Sequence, residues 1–346
     1  MQVHTQRPLA AAMSCVEICA GGGGQALGLE QAGFTHRMLV ELDSDACSTL
    51  RSNRPQWRVL RSDVREVAAD SLCTPEGELH LFAGGVPCPP FSLAGRQLGA
   101  GDERDLFPAA LSLIAGLRPK AVLLENVKGL LQSKFDGYRG EIVSALADLG
   151  YMAEWRLLYA RDYGVPQLRP RAILVALAPP EFARFRWPTV TPGSTPLASV
   201  GSALRSSMGS RGWELADHWA EQAQQIAPTL CGGSRKHGGP DLGPSRARRA
   251  WAAMGVNGSS VADLPPGPGA QLPIRLTVAQ IALLQGFPPD WQFSGRKTSV
   301  YRQVGNAFPP PFAEAVGKSI ASALTPAEDV PMVRTASVSC GLHPVP

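Results

Sequence analysis

The sequence predicts an α/β protein, a doubly wound, mostly parallel sheet with a second, smaller and loop-rich domain. Three observations lead there. Apolar runs of strand length alternate with segments of helical period through the first half of the chain. Consecutive glycines at residues 21–24 stand where the first strand-like run gives way to the first helical one. Past Trp187 the chain becomes rich in Gly, Pro, Ser and Arg and loses its long apolar runs. With 346 residues, 44% of them hydrophobic, it has the material for one large domain or two modest ones.

Taken in order, the strand-like runs are 15–19, 37–41, 57–60, 79–83, 121–125, 152–159 and 172–177. Helical period fits 25–31, 44–51, 106–117 and 139–149, and returns at 277–285 and 311–324. Strands and helices alternating at this spacing imply βαβ units and a sheet covered on both faces. Residues 13–186 are expected to form the main domain, to which 275–325 returns. The stretch 187–274 is expected to fold separately around Trp213, Trp219, Ile226, Leu230 and Trp251. Residues 1–12 read as a leader, and the aperiodic 326–346 as a flexible tail.

Composition narrows the function classes. The formal net charge of +4 announces neither an acidic nor a basic partner for the chain as a whole. Seven scattered cysteines without a C-x-x-C pair argue against a disulfide framework and against a zinc site. No apolar run approaches the ~20 residues of a membrane-spanning helix, so a cytoplasmic protein is expected.

The most informative stretch is Pro87-Cys88-Pro89-Pro90, directly after the fourth strand-like run. Proline fixes its own φ and pushes the preceding residue into extended geometry, so Cys88 sits on a stiff loop. A fixed thiol at the carboxyl end of a strand in an α/β sheet is where chemistry tends to sit. A turn with a buried cysteine is the alternative. The glycine loop, with Cys19, Ala20, Gly21, Gly23 and Gly24, suits close approach of a nucleotide-type cofactor. Glu41 and Leu42 end the second strand, where an acid can hold ribose hydroxyls, and Asp63 and Val64 follow the third, where an acid suits an adenine amino group. A turn or helix-cap aspartate is the plainer account of Asp63. Gly21, Gly23 and Ala26 also satisfy G-x-G-x-x-A, so a nicotinamide cofactor and S-adenosylmethionine both remain open here.

Glu125-Asn126-Val127 closes the fifth strand-like run, and a carboxylate at the end of a buried strand can share a proton with a ring nitrogen. In Gln167-x-Arg169-x-Arg171, strand alternation puts both arginines on one face, suited to an anion or a flat base. Arg96 lies in a glycine-rich loop that reads as a lid over a polyanion. Arg235 and Lys236, with Arg246, Arg248 and Arg249, concentrate positive charge in the smaller domain, as a nucleic-acid surface does.

Together and in this order, these pieces resemble the cytosine-5 DNA methyltransferases, bacterial type. The resemblance extends through Arg275-Leu276-Thr277, Gln285-Gly286-Phe287-Pro288 and Gln303-Val304-Gly305-Asn306, and covers roughly residues 13–325. It implies a Rossmann-like catalytic domain that binds S-adenosylmethionine, a target-recognition domain over 187–274, and double-stranded DNA between them. Thr229-Leu230 looks like the short pair the family carries in that domain. The implied roles are Cys88 as nucleophile at C6 of a flipped cytosine, Glu125 at N3, Arg169 at O2 and Arg171 as a brace. Pro87 and Asn306 join the cofactor set. The resemblance also implies a cytoplasmic monomer and a possible restriction endonuclease acting on the same sequence. Two positions depart from the family pattern: Cys19 stands where phenylalanine is frequent, and Gly22 where a larger residue is common. An RNA cytosine-5 methyltransferase and a non-catalytic DNA-binding regulator are the alternatives on the same fold.

Overall fold

The structure is a computed structural model and describes residues 13–72, 77–86, 105–189, 198–233 and 239–325. Pro87, Cys88, Arg96, Arg235, Lys236, the leader and the tail lie outside the described residues.

The sheet forms from β1 (Met13–Ile18), β2 (Phe34–Glu41), β3 (Val59–Arg61), β4 (Leu81–Gly85), β5 (Ala121–Val127), β6 (Met152–Tyr159) and β7 (Pro170–Leu177). Their order is β3-β2-β1-β4-β5-β7-β6. All pairs are parallel except those of β7, which runs antiparallel to both β5 and β6. Every strand expected from the sequence is present, within a few residues of its expected bounds.

The central strands bury both faces. Alternate residues Val16, Phe82, Val122, Leu124 and Leu174 point into a layer containing α4 (Phe107–Leu117) and α5 (Asp136–Asp148). The intervening Cys15, Leu81, Ala83, Leu123 and Val175 meet α1 (Gly24–Gln31) and α12 (Pro310–Leu324). The C-terminal helix therefore does return beside the first strand. Its contact with α1 is close: a Cβ added at Gly28 would lie 2.3 Å from the Pro310 carbonyl oxygen.

Helix starts follow their capping residues. Asp43 accepts hydrogen bonds from the backbone N–H groups of Asp45 and Ala46 at the head of α2 (Ser44–Asn53). Among the helices not foreseen are α3 (Ala69–Leu72), α6 (Pro179–Arg184), α7 (Val200–Gly209), α8 (Ala216–Gln222) and α9 (Ser245–Ala252). α10 (Val278–Leu284) was foreseen and begins with a Thr277/Gln280 capping box. α11 (Lys297–Asn306) completes the set.

Trp213, Trp219, Leu230 and Trp251 are buried as expected, while Ile226 is half-buried. Their cluster is continuous with Leu50, Trp57, Phe287 and Trp291, so the segment 198–307 shares its core with the α1–α2 side of the sheet. No helix among the described residues is long and apolar enough to cross a membrane.

Candidate active site

Strand order reverses between β1 and β4, and the carboxyl ends of strands on either side of such a point form a crevice. β1 runs out into Cys19 and the glycine loop, and β4 into Val86, the last described residue before Pro87-Cys88. Gly85 pairs with Glu125 across β4 and β5. A Cβ at Gly85 would lie 3.6 Å from Glu125 Oε2 and 3.8 Å from the Cys19 carbonyl oxygen. Glycine loop, acid and the start of the cysteine loop thus meet at one edge.

Glu125 forms an ion pair with Arg171, with side-chain exposures of 7% and 9%. The register accounts for the pair: Val127 opposes Arg171 and Glu125 opposes Ile173, which makes Glu125 and Arg171 diagonal neighbours on one face. Asn126 is fully buried, and its Nδ2 donates to the Val86 carbonyl oxygen at 3.3 Å. It thereby tethers the chain one residue before Pro87. The sequence showed Asn126 only as the middle of a motif; the tether needs the β4–β5 pairing.

The expectation that Arg169 and Arg171 share a face does not hold. Arg169 has φ +20°, before β7 begins at Pro170, so strand alternation does not apply to it. Its fully buried guanidinium donates to the carbonyl oxygens of Leu230 (2.8 Å), Gly305 (3.1 Å) and Ala307 (2.6 Å). Gln167 completes this hub: its Oε1 accepts from the Leu230 N–H, and its Nε2 donates to Gln285 Oε1. Gln285 Nε2 in turn donates to the Val304 carbonyl oxygen. Arg169 therefore joins the Thr229-Leu230 strip to the end of α11, Gln167 joins it to the end of α10, and Arg171 is the arginine beside Glu125. Thr229 itself is half-buried.

On the cofactor side, Glu41 accepts from the Gly21 N–H through Oε2 and from the Asp43 N–H through Oε1, both at 2.7 Å. Burial raises its carboxyl's proton affinity, partly offset by those hydrogen bonds. Burial, then the nearby carboxylates Glu41, Asp63 and Glu17, pushes the Cys19 thiol up, so it is held as a neutral thiol. Asp63 caps a short turn at Val64 and is gripped by Arg65, whose hydrogen bonds lower its carboxyl below the ordinary range. It takes the helix-cap role as well as standing at the sheet edge. Val64 is buried in the core, and Leu42 is 54% exposed at the rim. Asn306 turns its amide the other way, accepting from the Gly232 N–H and donating to the Gly233 carbonyl oxygen, each at 3.1 Å. It supports the backbone at Gly232 and Gly233, and among the described residues its side chain is not one of the groups bonded to Glu41.

The loop fits a nucleotide-type cofactor. A Cβ at Gly21 (φ +55°) would meet nothing within 4 Å among the described residues, so the space above the loop beside Glu41 is open to them. Gly23 (φ +88°) is closed from behind: a Cβ there would lie 2.8 Å from both Leu50 Cδ2 and Trp291 Cζ2. The space a side chain at Gly22 would fill is occupied, with Phe293 Cε1 at 3.1 Å and Gln303 Cβ at 3.2 Å from an added Cβ.

On α9, Arg246, Arg248 and Arg249 are all exposed. Arg248 is tied back, donating to the Gly243 carbonyl oxygen at 2.7 Å and standing 3.6 Å from Asp241. Arg246 and Arg249 have no ion-pair partner among the described residues.

This crevice, with an acid–arginine pair beside a glycine loop on a 3-2-1-4-5-7-6 sheet, matches known proteins along nearly its whole length. The family model for C-5 cytosine-specific DNA methylases matches residues 13–322. The Type II methyltransferase M.NaeI of Lentzea aerocolonigenes is 55% identical over 320 residues, covering 90% of this chain and 75% of its own. The Type II methyltransferase M.NgoMIV of Neisseria gonorrhoeae is 50% identical over 312 residues, covering 89% of this chain and 97% of its own. Among solved structures, the Entamoeba histolytica methyltransferase EhMeth superposes with a TM-score of 0.64 at 14% identity, covering 92% of this chain and 100% of its own. The latter likeness speaks for the fold alone. The chain belongs to the C-5 cytosine-specific DNA methylase family, and it is a DNA cytosine-5 methyltransferase.

Proposed function

We propose that the protein methylates C5 of a cytosine rotated out of a specific double-stranded DNA sequence, using S-adenosylmethionine, as the modification half of a restriction–modification system in the cytoplasm. The observation that carries this reading is the buried Glu125–Arg171 pair beside Gly85 and the Cys19 carbonyl. The relatives' designation as Type II methyltransferases supports a partner endonuclease.

C5 of cytosine is a weak nucleophile, and a stacked base hides it, so the base must leave the helix at a cost of a few kcal/mol. The Cys88 thiolate adds to C6, and electron density moves toward N3 and C5. Glu125 holds a proton at N3 as that density arrives. Arg171, already oriented by Glu125, donates to O2; this takes over the role that the resemblance implied for Arg169. Arg169 and Asn306 hold the recognition strip against the catalytic core. S-adenosylmethionine, when bound between the glycine loop, Glu41, Leu42 and Asp63, supplies an electrophilic methyl group. A solvent base then takes the C5 proton, the C6–S bond breaks to release Cys88 as thiolate, and the N3 proton returns to Glu125 as the aromatic ring is restored. Arg246 and Arg249, with Arg96, Arg235 and Lys236, are assigned to DNA phosphates or bases.

The test is transfer of a labelled methyl group to plasmid duplex and to tRNA. Wild type is expected to label the duplex alone. Glu125→Gln should lower kcat on the duplex by roughly 10²- to 10⁴-fold, the usual contribution of a positioned proton donor. Label in tRNA but not in duplex would establish the RNA reading instead, and an undiminished rate in Glu125→Gln would remove the acid from the mechanism.

A further inference from the structure

Four consecutive glycines make a loop that cannot hold its own shape, because each peptide can rotate without a Cβ to stop it. One peptide of this loop is nevertheless fixed at both ends. The Gly23 N–H donates to the Ala20 carbonyl oxygen at 3.0 Å. The carbonyl of the same peptide, Gly22 O, accepts from the indole Nε1 of Trp291 at 3.1 Å. Trp291 comes from 269 residues away and is 6% exposed.

The indole is itself locked. Arg54 lies over the Trp291 ring at 5.3 Å, and Phe287 packs on it at 6.0 Å. Asn53 reads the next residue as a strand would, donating to the Gln292 carbonyl oxygen at 2.6 Å and accepting from its N–H at 2.8 Å. Thr49 does the same for the following turn, accepting from the Ser294 N–H and donating to Gln303. The segment from Pro288 to Gln303 is thus clasped onto α2, and its one polar reach into the cofactor loop is the Trp291 indole.

We propose that Trp291 is a positioning residue for the cofactor site. Its N–H keeps the Gly22–Gly23 peptide turned inward, so that the open side of the loop at Gly21, next to Glu41, presents one shape to the cofactor. Gly22 fits this arrangement: with no side chain of its own, it leaves room for Phe293 and Gln303 behind the loop. The departure from the larger residue common in the family is thereby compensated from the C-terminal segment. This inference rests on the reading of the glycine loop as the S-adenosylmethionine site.

Trp291→Phe keeps an aromatic ring and removes the donor. The experiment is calorimetric titration of full-length protein with S-adenosylmethionine without DNA, together with steady-state kinetics and melting temperature, on wild type, Trp291→Phe and Ile142→Val. Ile142 is buried in α5 on the other face of the sheet, so Ile142→Val lowers stability without touching the clasp or the loop. Trp291→Phe is expected to bind S-adenosylmethionine about tenfold more weakly, the usual effect of one lost buried hydrogen bond. Its KM for the cofactor should rise in step, with kcat at saturation within about twofold of wild type. Ile142→Val should melt lower yet bind the cofactor as wild type does. Equal cofactor affinity in wild type and Trp291→Phe, or losses in both variants that simply follow melting temperature, would overturn the proposal. If Trp291→Phe does not fold, benzothienylalanine at position 291, the same bicycle with sulfur in place of the N–H, makes the same comparison. A wild-type protein that binds no S-adenosylmethionine removes the cofactor reading, and this inference with it.

Discussion

Glu125 leaves β5 with its carboxylate against Arg171, and neither side chain is more than 9% exposed. Such a pair adds little net stability, because desolvating two charges costs about what their attraction returns; its value is a fixed geometry. A second buried acid has a different character. Glu17, in the middle of β1, is fully buried 3.3 Å from His36 Nε2, with its Oε1 lacking a hydrogen-bond partner among the described residues. Burial raises its carboxyl above the ordinary 4.5, against the pull of His36, while Glu41 adds to the rise. A raised folded-state value means stability that is full below about 4.5 and lost as pH climbs through the folded value. Glu17→Gln mimics the protonated acid at every pH. Urea unfolding at stepped pH from 5 to 8 should therefore show wild type losing ground to Glu17→Gln, by at most ~1.4 kcal/mol per pH unit; parallel curves would contradict the assignment. At this scale residue types are legible in the sequence and side-chain directions are not. Pro87-Cys88, Glu125 and the arginine motif stand out as letters. That Arg169 turns toward Leu230 at φ +20° while Arg171 turns toward Glu125 depends on register and backbone that no spacing rule carries.

At the scale of elements, strands were the legible part. Seven apolar runs became seven strands, since a strand covered on both faces must be apolar throughout its short length. Helix α7 escaped because glycine and serine dilute its 3.6-residue period, α8 because its 7 residues are too few to show a period, and α9 and α11 because their sequences read mostly polar. The contact of α1 with α12 yields a prediction that runs against helix propensity. An Ala for Gly exchange inside a helix ordinarily stabilises by ~1 kcal/mol. At Gly28 the new Cβ would lie 2.3 Å from the Pro310 carbonyl oxygen and 2.7 Å from Ala313 Cβ. Gly28→Ala is therefore expected to lower stability by roughly 1–3 kcal/mol, read as a lower urea midpoint. An unchanged or raised midpoint would show that α12 yields freely.

Across the whole molecule, function follows from where the strand order reverses. β1 and β4 bring the glycine loop and Val86, which precedes the cysteine motif, to one edge, β5 brings the acid, and β7 turns back to bring the arginine. The chain from 198 to 307 then packs onto the α1–α2 side through one continuous core. The Gln167–Arg169–Gln285 hub and the Trp291 clasp fasten it there. These fasteners join residues 61, 118 and 269 positions apart along the chain, which is why the overall plan could be read ahead of the structure and its couplings could not. The central claim is cytosine-5 methylation through Cys88, and bisulfite sequencing tests it most directly. The DNA to sequence is plasmid and genome from a methylation-free bacterial strain expressing the protein or its Cys88→Ala variant. Protected cytosines confined to one short sequence, in wild type alone, are the predicted result. Unprotected DNA from cells holding folded wild-type protein, or equal protection by Cys88→Ala, would contradict the account.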